Sequence, residues 1–309
     1  MKRVLVTGAT GKIGSLLIPR LAVHPGIAVR ALVRNAEKAE VLTSIGVELA
    51  IGTLDNTETI RRATEGIDTV LLITAAASHA TEQADAVLAV ANEAGVRKIV
   101  RISVFNASRG GPADVIRQHG YTDARIWSSG MVYTILRPPF FMQNLGFLAG
   151  ESIAEEGKLY FGTADGRLGL IDLRDVVDCS YESIVSDTYL NKTFTLTGPE
   201  SISFHDIADR LSNLLARPIQ YVPVRPEAVE KSLRATGYTD WYAGVMRDLC
   251  RAYSEGWGDV LTGDVTHITG RRPRSFDVFA REVLLLTLRP AKVRRTRGRS
   301  HREYSAAAG

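Results

Sequence analysis

The stretch VTGATGKIG, residues 6–14, decides the fold of this chain. It follows an apolar run, 3–7, that predicts a buried strand, and it precedes 12–23, where apolar residues recur at helical spacing. A glycine-rich turn between a strand and a helix is the context in which the pyrophosphate of a dinucleotide binds. The alternative, a surface turn that happens to hold three glycines, is disfavoured because the strand and the helix flank the turn correctly.

The three glycines have separable roles in such a turn. Gly8 allows a tight turn off the strand, Gly11 lets a pyrophosphate approach the backbone, and Gly14 lets the helix pack on the sheet. Phosphates would then meet backbone N–H groups and the positive end of the helix dipole. We therefore assign the turn to a cofactor site with these residues: Gly8, Thr10, Gly11, Lys12, Ile13 and Gly14.

Composition indicates an ordinary globular protein. The chain has 309 residues, of which 45% are apolar and 23% charged, enough for a sizeable core and a ligand cleft. The net charge is +4, but segment 289–309 holds seven Lys or Arg and one Glu, so the remainder carries −2. This argues against nucleic-acid binding by the folded body. We expect 289–309 to be a disordered basic tail, with binding of nucleic acid or an acidic partner as the alternative.

Compartment and metal content follow from the cysteines and the apolar runs. Cys179 and Cys250 make no disulfide framework and have no metal-site spacing. The N-terminus shows no signal-peptide pattern, and no uncharged run approaches the ~20 residues that span a bilayer. We expect a cytoplasmic protein without a membrane span or a metal.

Strand and helix patterns alternate through the first half. Continuous apolar strands separated by helices predict a parallel sheet covered on both faces, and right-handed crossovers make it doubly wound, with ligand at the carboxyl ends of the strands. The expected strands are 27–33, 47–51, 68–74, 98–104 and 132–136, and the expected helices are 36–44, 56–65, 79–94 and 123–129.

The regular alternation of strands and helices ends after Arg137-Pro138-Pro139. Segment 157–167 is predicted to be a loop with a possible hairpin, and Asp175 is predicted to be a helix N-cap. Helices are expected at 175–186, 204–215, 227–236 and 240–254, and strands at 193–196 and 219–222. We predict an α/β protein of two parts, a Rossmann-type domain (1–136 plus about 170–190) and a smaller, interleaved C-terminal substrate-binding region (137–169 plus 191–288).

Three segments resemble the NmrA-like branch of the atypical short-chain dehydrogenase/reductases. They are TGATGKIG, the strand SGMVYTILRPPFFMQN, and TGRRPRSFDVFAREV near the end, and the resemblance spans about residues 1–285. Segment 119–130 also fits the family's helix, with Asp123 where Glu is usual. The resemblance implies a Rossmann-type fold and NAD(P) binding. It leaves the function open, because the family holds quinone and ketone reductases, aromatic natural-product reductases and non-catalytic redox sensors.

The end of the second strand selects the cofactor. An acidic residue there would bind a ribose 2′-hydroxyl and favour NAD, but this strand ends in Val33, Arg34 and Asn35. A guanidinium pairs with a 2′-phosphate, and Lys38 would add a second charge, so we predict NADP(H). A solvated loop arginine is the alternative. The resemblance adds further cofactor-binding residues: Leu54 and Asp55 beside the adenine, and Thr74, Ala75 and Ala76 beside the ribose and nicotinamide, where packing is an equal alternative.

The Tyr-x-x-x-Lys pair used by most reductases of the superfamily is absent, since no tyrosine is followed four residues later by a lysine. Aligning Asp123 with the family's acid puts His119 at the Lys position and Val115 at the Tyr position. His119 would bind the nicotinamide ribose or act as an acid near neutral pH, or else merely cap or pack the helix start. Ser103 ends the fifth strand and faces the predicted cleft, where the superfamily often has a Ser that polarises the carbonyl; alternatively it only satisfies backbone groups of a turn. Tyr121 is a further candidate donor.

The resemblance places the substrate wall after the sixth strand. It assigns Phe140 to the nicotinamide, and it begins the substrate wall with Phe141, Met142 and Asn144, to which Trp241 and Tyr242 add aromatic surface. Such a pocket would suit a flat aromatic acceptor. Ordinary core packing is the alternative for each of these residues.

Two functions fit the sequence. The first is an NADPH-dependent reductase that transfers hydride to a ketone or quinone of a bulky aromatic molecule, with natural-product biosynthesis as an expected setting. The second is a non-catalytic redox sensor that binds NADP(H) and a protein partner. The missing Tyr favours the second, and the aromatic-rich second half favours the first. The acceptor and the oligomeric state do not follow from the sequence.

Overall fold

The computed structural model describes residues 1–288 and divides the chain into two compact units. Among the described residues, the first comprises Met1–Pro138 and Val176–Thr195, and the second comprises Pro139–Asp175 and 196–288. The chain changes from one unit to the other after Pro138, Asp175 and Thr195. The predicted division into a cofactor-binding and a substrate-binding part stays a prediction. The predicted tail, 289–309, lies outside the described residues.

The first unit is built on one sheet of seven strands. These are β1 (Lys2–Val6), β2 (Ile27–Val33), β3 (Glu48–Ile51), β4 (Thr69–Leu72), β5 (Lys98–Ile102), β6 (Val132–Arg137) and β9 (Lys192–Thr195). Their order is β3-β2-β1-β4-β5-β6-β9, and every pairing is parallel. The order turns at β1, where Val4 pairs with Val29 on one side and Thr69 on the other. The predicted doubly wound parallel sheet is confirmed.

Helices connect these strands. They are α1 (Gly14–Ala22), α2 (Glu40–Thr43) after a 3₁₀ turn (Glu37–Ala39), α3 (Thr57–Thr64), α4 (Ala80–Glu93), α5 (Asp114–Ser128) and most of α7 (Leu173–Val185). The sequence explains their placement, because apolar faces pack on the sheet to form a core that includes Val70, Ile99 and Ile135. Asn56 caps α3 by accepting a hydrogen bond from the Thr59 N–H at 2.9 Å, as one of the two predicted caps.

Helix α5 contains most of the segment 123–129 that was predicted to belong to a helix. It begins at Asp114, and Gly120 lies inside it where the loop at Ser108 crosses. A Cβ on Gly120 would lie 2.3 Å from the Ser108 carbonyl carbon, so only glycine fits that crossing. Gly120 weakens the local helix signal but serves a tertiary contact, which the sequence pattern does not show.

The second unit has short strands and more helices. Its strands are β7 (Lys158–Phe161), β8 (Arg167–Leu168), β10 (Ile202–Ser203) and β11 (Gln220–Pro223). Its helices are α6 (Asn144–Glu156), α8 (Phe204–Leu215), α9 (Pro226–Ala235), α10 (Asp240–Ser254), α11 (Asp264–Thr269), α12 (Phe276–Phe279), a π-helical turn (Ala280–Leu284) and α13 (Leu285–Thr287). A separate apolar core holds them together, with the Phe161 and Phe204 rings stacked 4.6 Å apart.

Two predictions for this unit are wrong. Segment 157–167 contains no hairpin, because β7 pairs in parallel with β11 and β8 pairs antiparallel with β10. Asp175 is not the N-cap of α7: the helix starts earlier, and Asp172 accepts the Arg174 N–H at 2.9 Å. The Asp175 carboxylate instead accepts the backbone N–H of Arg274 at 2.8 Å. In both cases partners distant in sequence decide the local structure.

Within residues 1–288 no helix has the length and apolar character needed to cross a bilayer. The same residues bring together no group of three or more His, Cys, Asp and Glu side chains suited to a metal ion.

Candidate cofactor site and buried charge cluster

The glycine turn is fixed by backbone sterics. Gly8 has φ +62°, a conformation that favours glycine, and a Cβ there would lie 3.2 Å from Ile73. A Cβ on Gly14 would lie 2.6 Å from the carbonyl oxygens of Gly8 and Ala9. The packing role predicted for Gly14 is therefore corrected: the atoms that exclude a side chain belong to the turn itself, and the first turn of α1 lies directly on it.

The start of α1 is suited to an anion. Ile13 occupies the N-cap position without a side-chain hydrogen bond, and the first turn contains no acidic residue. Backbone N–H groups and the helix dipole would bind a phosphate there. Burial lowers the pKa of Lys12 beside this turn, so an anion nearby would be favourable. A cradle that only glycines allow, at a helix start that carries no acid, fits the pyrophosphate of a dinucleotide.

The end of β2 presents the residues predicted to select the cofactor. Arg34 is exposed at that end. Asn35 has a structural role, because its side-chain oxygen accepts the Glu37 N–H at 2.8 Å and turns the chain into the 3₁₀ segment. Lys38 falls in that segment, and its side chain lies outside the described part of the chain.

The ends of β3 and β4 hold the remaining predicted cofactor residues. Asp55 is exposed after β3, accepts a hydrogen bond from Gln83 at 2.8 Å, and lies 3.6 Å from the His79 ring nitrogen. Leu54 beside it is half-buried. After β4, Thr74 is half-buried, and Ala75 and Ala76 are exposed, so these small side chains leave the strand end accessible. Their contact with a nucleotide stays a prediction.

A buried charge cluster lies where β5, β6 and α5 meet. Asp123 of α5 is fully buried, and one of its oxygens accepts hydrogen bonds from Ser103 Oγ at 2.8 Å and Arg137 Nε at 2.9 Å. Arg101 of β5 is 1% exposed, with Nε 3.9 Å from the other Asp123 oxygen. Two guanidinium groups thus share one carboxylate in a region with little solvent screening.

The cluster continues from Arg101 to His119. Arg101 Nη2 lies 3.1 Å from His119 Nδ1, and Nη1 donates to Thr74 Oγ1 at 3.4 Å. Burial lowers the pKa of His119 well below its ordinary value, and the positive charges of Arg101 and Arg137 lower it further. This direction disfavours the predicted role of His119 as an acid near neutral pH, and the ribose-binding role stays a prediction. His119 also lies inside α5, so it does not cap the helix start.

The other two predicted catalytic residues are placed differently from expectation. Ser103 is 2% exposed and donates its hydroxyl to Asp123, so it supports the cluster and does not face an open cleft. Tyr121 is 47% exposed, with the Arg109 guanidinium 5.3 Å from the ring centroid. Neither arrangement supports proton donation to a substrate.

Arg101 was missed by reasoning from the sequence. The available signal was a charged residue inside the apolar strand KIVRI, since a central parallel strand is buried on both faces and rarely carries an unpaired charge. Its partners on α5 and after β4 are distant in sequence, so their identity required the structure.

In the second unit, two of the four predicted residues from Phe140 to Asn144 lie in the core. The Phe140 and Met142 side chains are 7% and 1% exposed and belong to the apolar core, where Phe140 packs against Phe161 at 5.7 Å. The burial of both side chains agrees with the core-packing alternative, and their contacts with cofactor and substrate stay predictions. Phe141 and Asn144 are half-buried, and Phe141 forms a bridge to Ile171.

An aromatic group lies between α6 and α10. Tyr238 stacks on Tyr242 at 5.2 Å, and Phe147 meets Tyr238 edge-on at 5.9 Å while remaining 43% exposed. Burial raises the pKa of Tyr242 to about 12. Trp241, half-buried, precedes Tyr242 on α10. The predicted substrate residues Trp241 and Tyr242 thus lie at or beside an accessible aromatic surface, and substrate contact stays a prediction.

Comparisons with known proteins agree with this geometry. A family model described as NAD(P)H-binding matches residues 8–161. An NAD(P)H azoreductase of Xenophilus azovorans is 31% identical over 281 residues, which cover 90% of this chain and 96% of the relative.

Solved structures share the fold. Citrobacter sp. triphenylmethane reductase complexed with NADP(H) has a TM-score of 0.82 at 23% identity, covering 91% of this chain and 100% of that one. An NADPH-dependent quinone oxidoreductase from Escherichia coli, complexed with NADPH, has a TM-score of 0.81 at 22% identity, covering 89% and 97%.

The glycine cradle, the NAD(P)H-binding match and the full-length azoreductase relative converge on one identity. They support the first of the two functions that fit the sequence, an enzyme, over the sensor. The chain belongs to the NmrA-like branch of the atypical short-chain dehydrogenase/reductases and is an NAD(P)H-dependent oxidoreductase.

Proposed function

We propose that this protein is an NADPH-dependent reductase that transfers hydride to a ketone, quinone or azo group of a bulky aromatic acceptor. The observation that carries the proposal is the azoreductase relative, which is matched over 96% of its length. The triphenylmethane and quinone reductases that share the fold add two further aromatic acceptor classes. A natural-product aromatic ketone or quinone is a member of the same chemical class.

The preference for NADPH over NADH rests on Arg34. A guanidinium at the end of β2 pairs bidentately with a 2′-phosphate, whereas NAD-specific sites carry an acidic residue there. No acid follows β2 before Glu37, whose backbone N–H bonds to Asn35. When bound, the cofactor supplies hydride from C4 of its nicotinamide.

The residues of this chain bind the cofactor and orient it. The cradle from Gly8 to Gly14 would hold the pyrophosphate, and neutral His119 would donate a hydrogen bond at the carboxyl edge of the sheet. Since Ser103 is committed to Asp123 and no Tyr-x-x-x-Lys pair exists, the catalytic contribution comes mainly from positioning. Reduction of a quinone or an azo group needs one hydride and one proton, and solvent water supplies the proton.

The aromatic group of the second unit supports an aromatic acceptor. Phe147, Tyr238 and Tyr242 present stacked and edge-on rings with part of their surface exposed. Aromatic side chains offer large contact area to a flat molecule. Cys179 and Cys250 are buried and form no disulfide, in keeping with the cytoplasmic location that we propose.

The test is NADPH oxidation by the full chain against a panel of acceptors. We expect turnover with a naphthoquinone, a soluble azo dye or an aryl ketone, and much slower turnover with a small aliphatic ketone. Tight NADPH binding without consumption by any acceptor would overturn the reductase and favour the sensor. Equal turnover of aromatic and aliphatic ketones would overturn the aromatic specificity alone.

A further inference from the structure

The most unusual charged side chain in the first unit is Arg101. It lies in the interior of the sheet on β5, at 1% exposure, between β4 and β6. Its guanidinium points to three residues: Nη2 to His119 and Nε towards Asp123, both on α5, and Nη1 to Thr74 after β4. Burial of a guanidinium carries a large desolvation cost, so its retention here calls for a role.

The contact with His119 fixes the tautomer of the ring. A guanidinium has donors and no acceptor, so His119 Nδ1, 3.1 Å away, must accept the hydrogen bond. The ring proton therefore sits on Nε2. A second proton on Nδ1 would place two N–H donors against each other, so the contact excludes the imidazolium form.

The surrounding charges also disfavour protonation of the His119 ring. The charges that act on the ring are Arg101 from β5 and Arg137 from β6, and Asp123 of α5 itself pairs with both guanidinium groups. On α4, which packs against α5, Asp85 pairs with Arg125 at 3.4 Å. Asp123 is shared by two guanidinium groups and by the Ser103 hydroxyl. The excess positive charge beside the ring disfavours a further proton.

We propose that Arg101 is a positioning residue that holds His119 as a neutral Nε2–H donor throughout the physiological pH range. His119 then offers a fixed hydrogen bond to an oxygen of a bound nucleotide or acceptor and neither gains nor loses a proton during turnover. The inference extends the proposed function, in which solvent supplies the proton. The protonation state of His119 is measurable without any acceptor, so the two can fail separately.

The experiment is nitrogen-15 NMR of the full chain with labelled histidine, with the His119 signals assigned by their loss in His119→Gln. We expect wild-type His119 to be in the neutral Nε2–H form, without titration between pH 5 and pH 8. Arg101→Gln should introduce a titration of His119 in that range, and Arg101→Lys, which keeps the charge, should suppress it. Arg97→Gln, which removes an exposed arginine at the other end of β5, is the matched control and should change nothing.

Several outcomes would overturn the proposal. A wild-type His119 that titrates between pH 5 and pH 8, or that carries its proton on Nδ1, contradicts the proposal directly and needs no variant. A His119 in folded Arg101→Gln that stays neutral throughout shows that burial alone sets its state. If Arg101→Gln does not fold, the wild-type tautomer still tests the contact, because a ring proton on Nδ1 would overturn the proposal. A kcat/KM profile that follows a His119 titration would also contradict a fixed donor.

Discussion

The glycine turn and the buried charge cluster both lie in the first unit, but backbone atoms form the turn and charged side chains form the cluster. The turn consists of backbone, and its shape follows from missing side chains at Gly8 and Gly14. The cluster consists of long charged side chains, Arg101, Arg137 and Asp123, drawn from three elements. The turn would bind a ligand through N–H groups that any helix start offers, whereas the cluster depends on each partner being present.

The comparison shows which of the two regions tolerates substitution and which does not. A backbone cradle tolerates many sequences as long as two Cβ positions stay empty. A buried set of two cations and one anion tolerates few substitutions, because removal of one member leaves an uncompensated charge. Substitutions in the two regions should therefore have different signatures, the turn mainly in cofactor affinity and the cluster mainly in stability.

The largest expected effect comes from a substitution that disrupts the buried charge cluster. Asp123→Asn removes the only carboxylate that contacts Arg101 and Arg137 within the described chain, and should lower the free energy of unfolding by about 3–5 kcal/mol. Urea denaturation of both proteins measures the difference. Glu58→Gln, which loses exposed ion pairs to Arg61 and Arg62, is the control and should cost at most ~1 kcal/mol. A similar small loss for Asp123→Asn would show that the cluster is not a structural unit.

The next largest effect comes from a substitution in the glycine turn. Gly14→Ala places a methyl group 2.6 Å from two carbonyl oxygens, so the backbone must shift. We expect a loss of about 1–3 kcal/mol in stability and at least a ~10-fold weaker NADPH affinity, about 1.4 kcal/mol, measured by calorimetry. Gly110→Ala, where a Cβ would meet open space, is the matched control. Unchanged NADPH affinity in folded Gly14→Ala would remove the turn from the cofactor site.

A third prediction sharpens the comparison through pH. The folded-state pKa of His119 is depressed, so the stability that the neutral ring contributes is present above its unfolded value of ~6.5 and lost as pH falls. The stability advantage of wild type over His119→Gln should therefore shrink on acidification, by up to ~1.4 kcal/mol per pH unit below pH 6.5. Denaturation curves for both proteins at pH 7.5 and pH 5 give this difference. A difference that does not change with pH would contradict a neutral buried ring.

The smallest effect concerns the edge of the turn's ligand site. Arg34→Ala should weaken NADPH binding about tenfold, roughly 1.4 kcal/mol, because a charge-assisted contact to the 2′-phosphate is lost. NADH affinity should stay constant, since NADH lacks that phosphate. Fluorescence titration of both cofactors measures the ratio. Equal affinities for NADPH before and after the substitution would leave Arg34 as a solvated loop residue.

The sequence by itself determined the features that depend on local sterics and periodicity. Three glycines between an apolar strand and an amphipathic helix require a tight turn under a helix start, and continuous apolar strands between helices require a covered parallel sheet. Both follow from interactions over a few residues, so Gly8, Gly14 and the strand 27–33 could be placed without a structure.

Only the tertiary structure decided which polar groups meet. Ser103 was expected at a cleft and His119 as an acid, but the long-range contacts of Ser103 with Asp123 and of His119 with Arg101 assign both to a buried network. Phe140 and Met142 likewise lie in a core whose other members come from elements far along the chain. The physical reason is that burial and electrostatics depend on neighbours in space, and those neighbours exist only once the sheet has assembled.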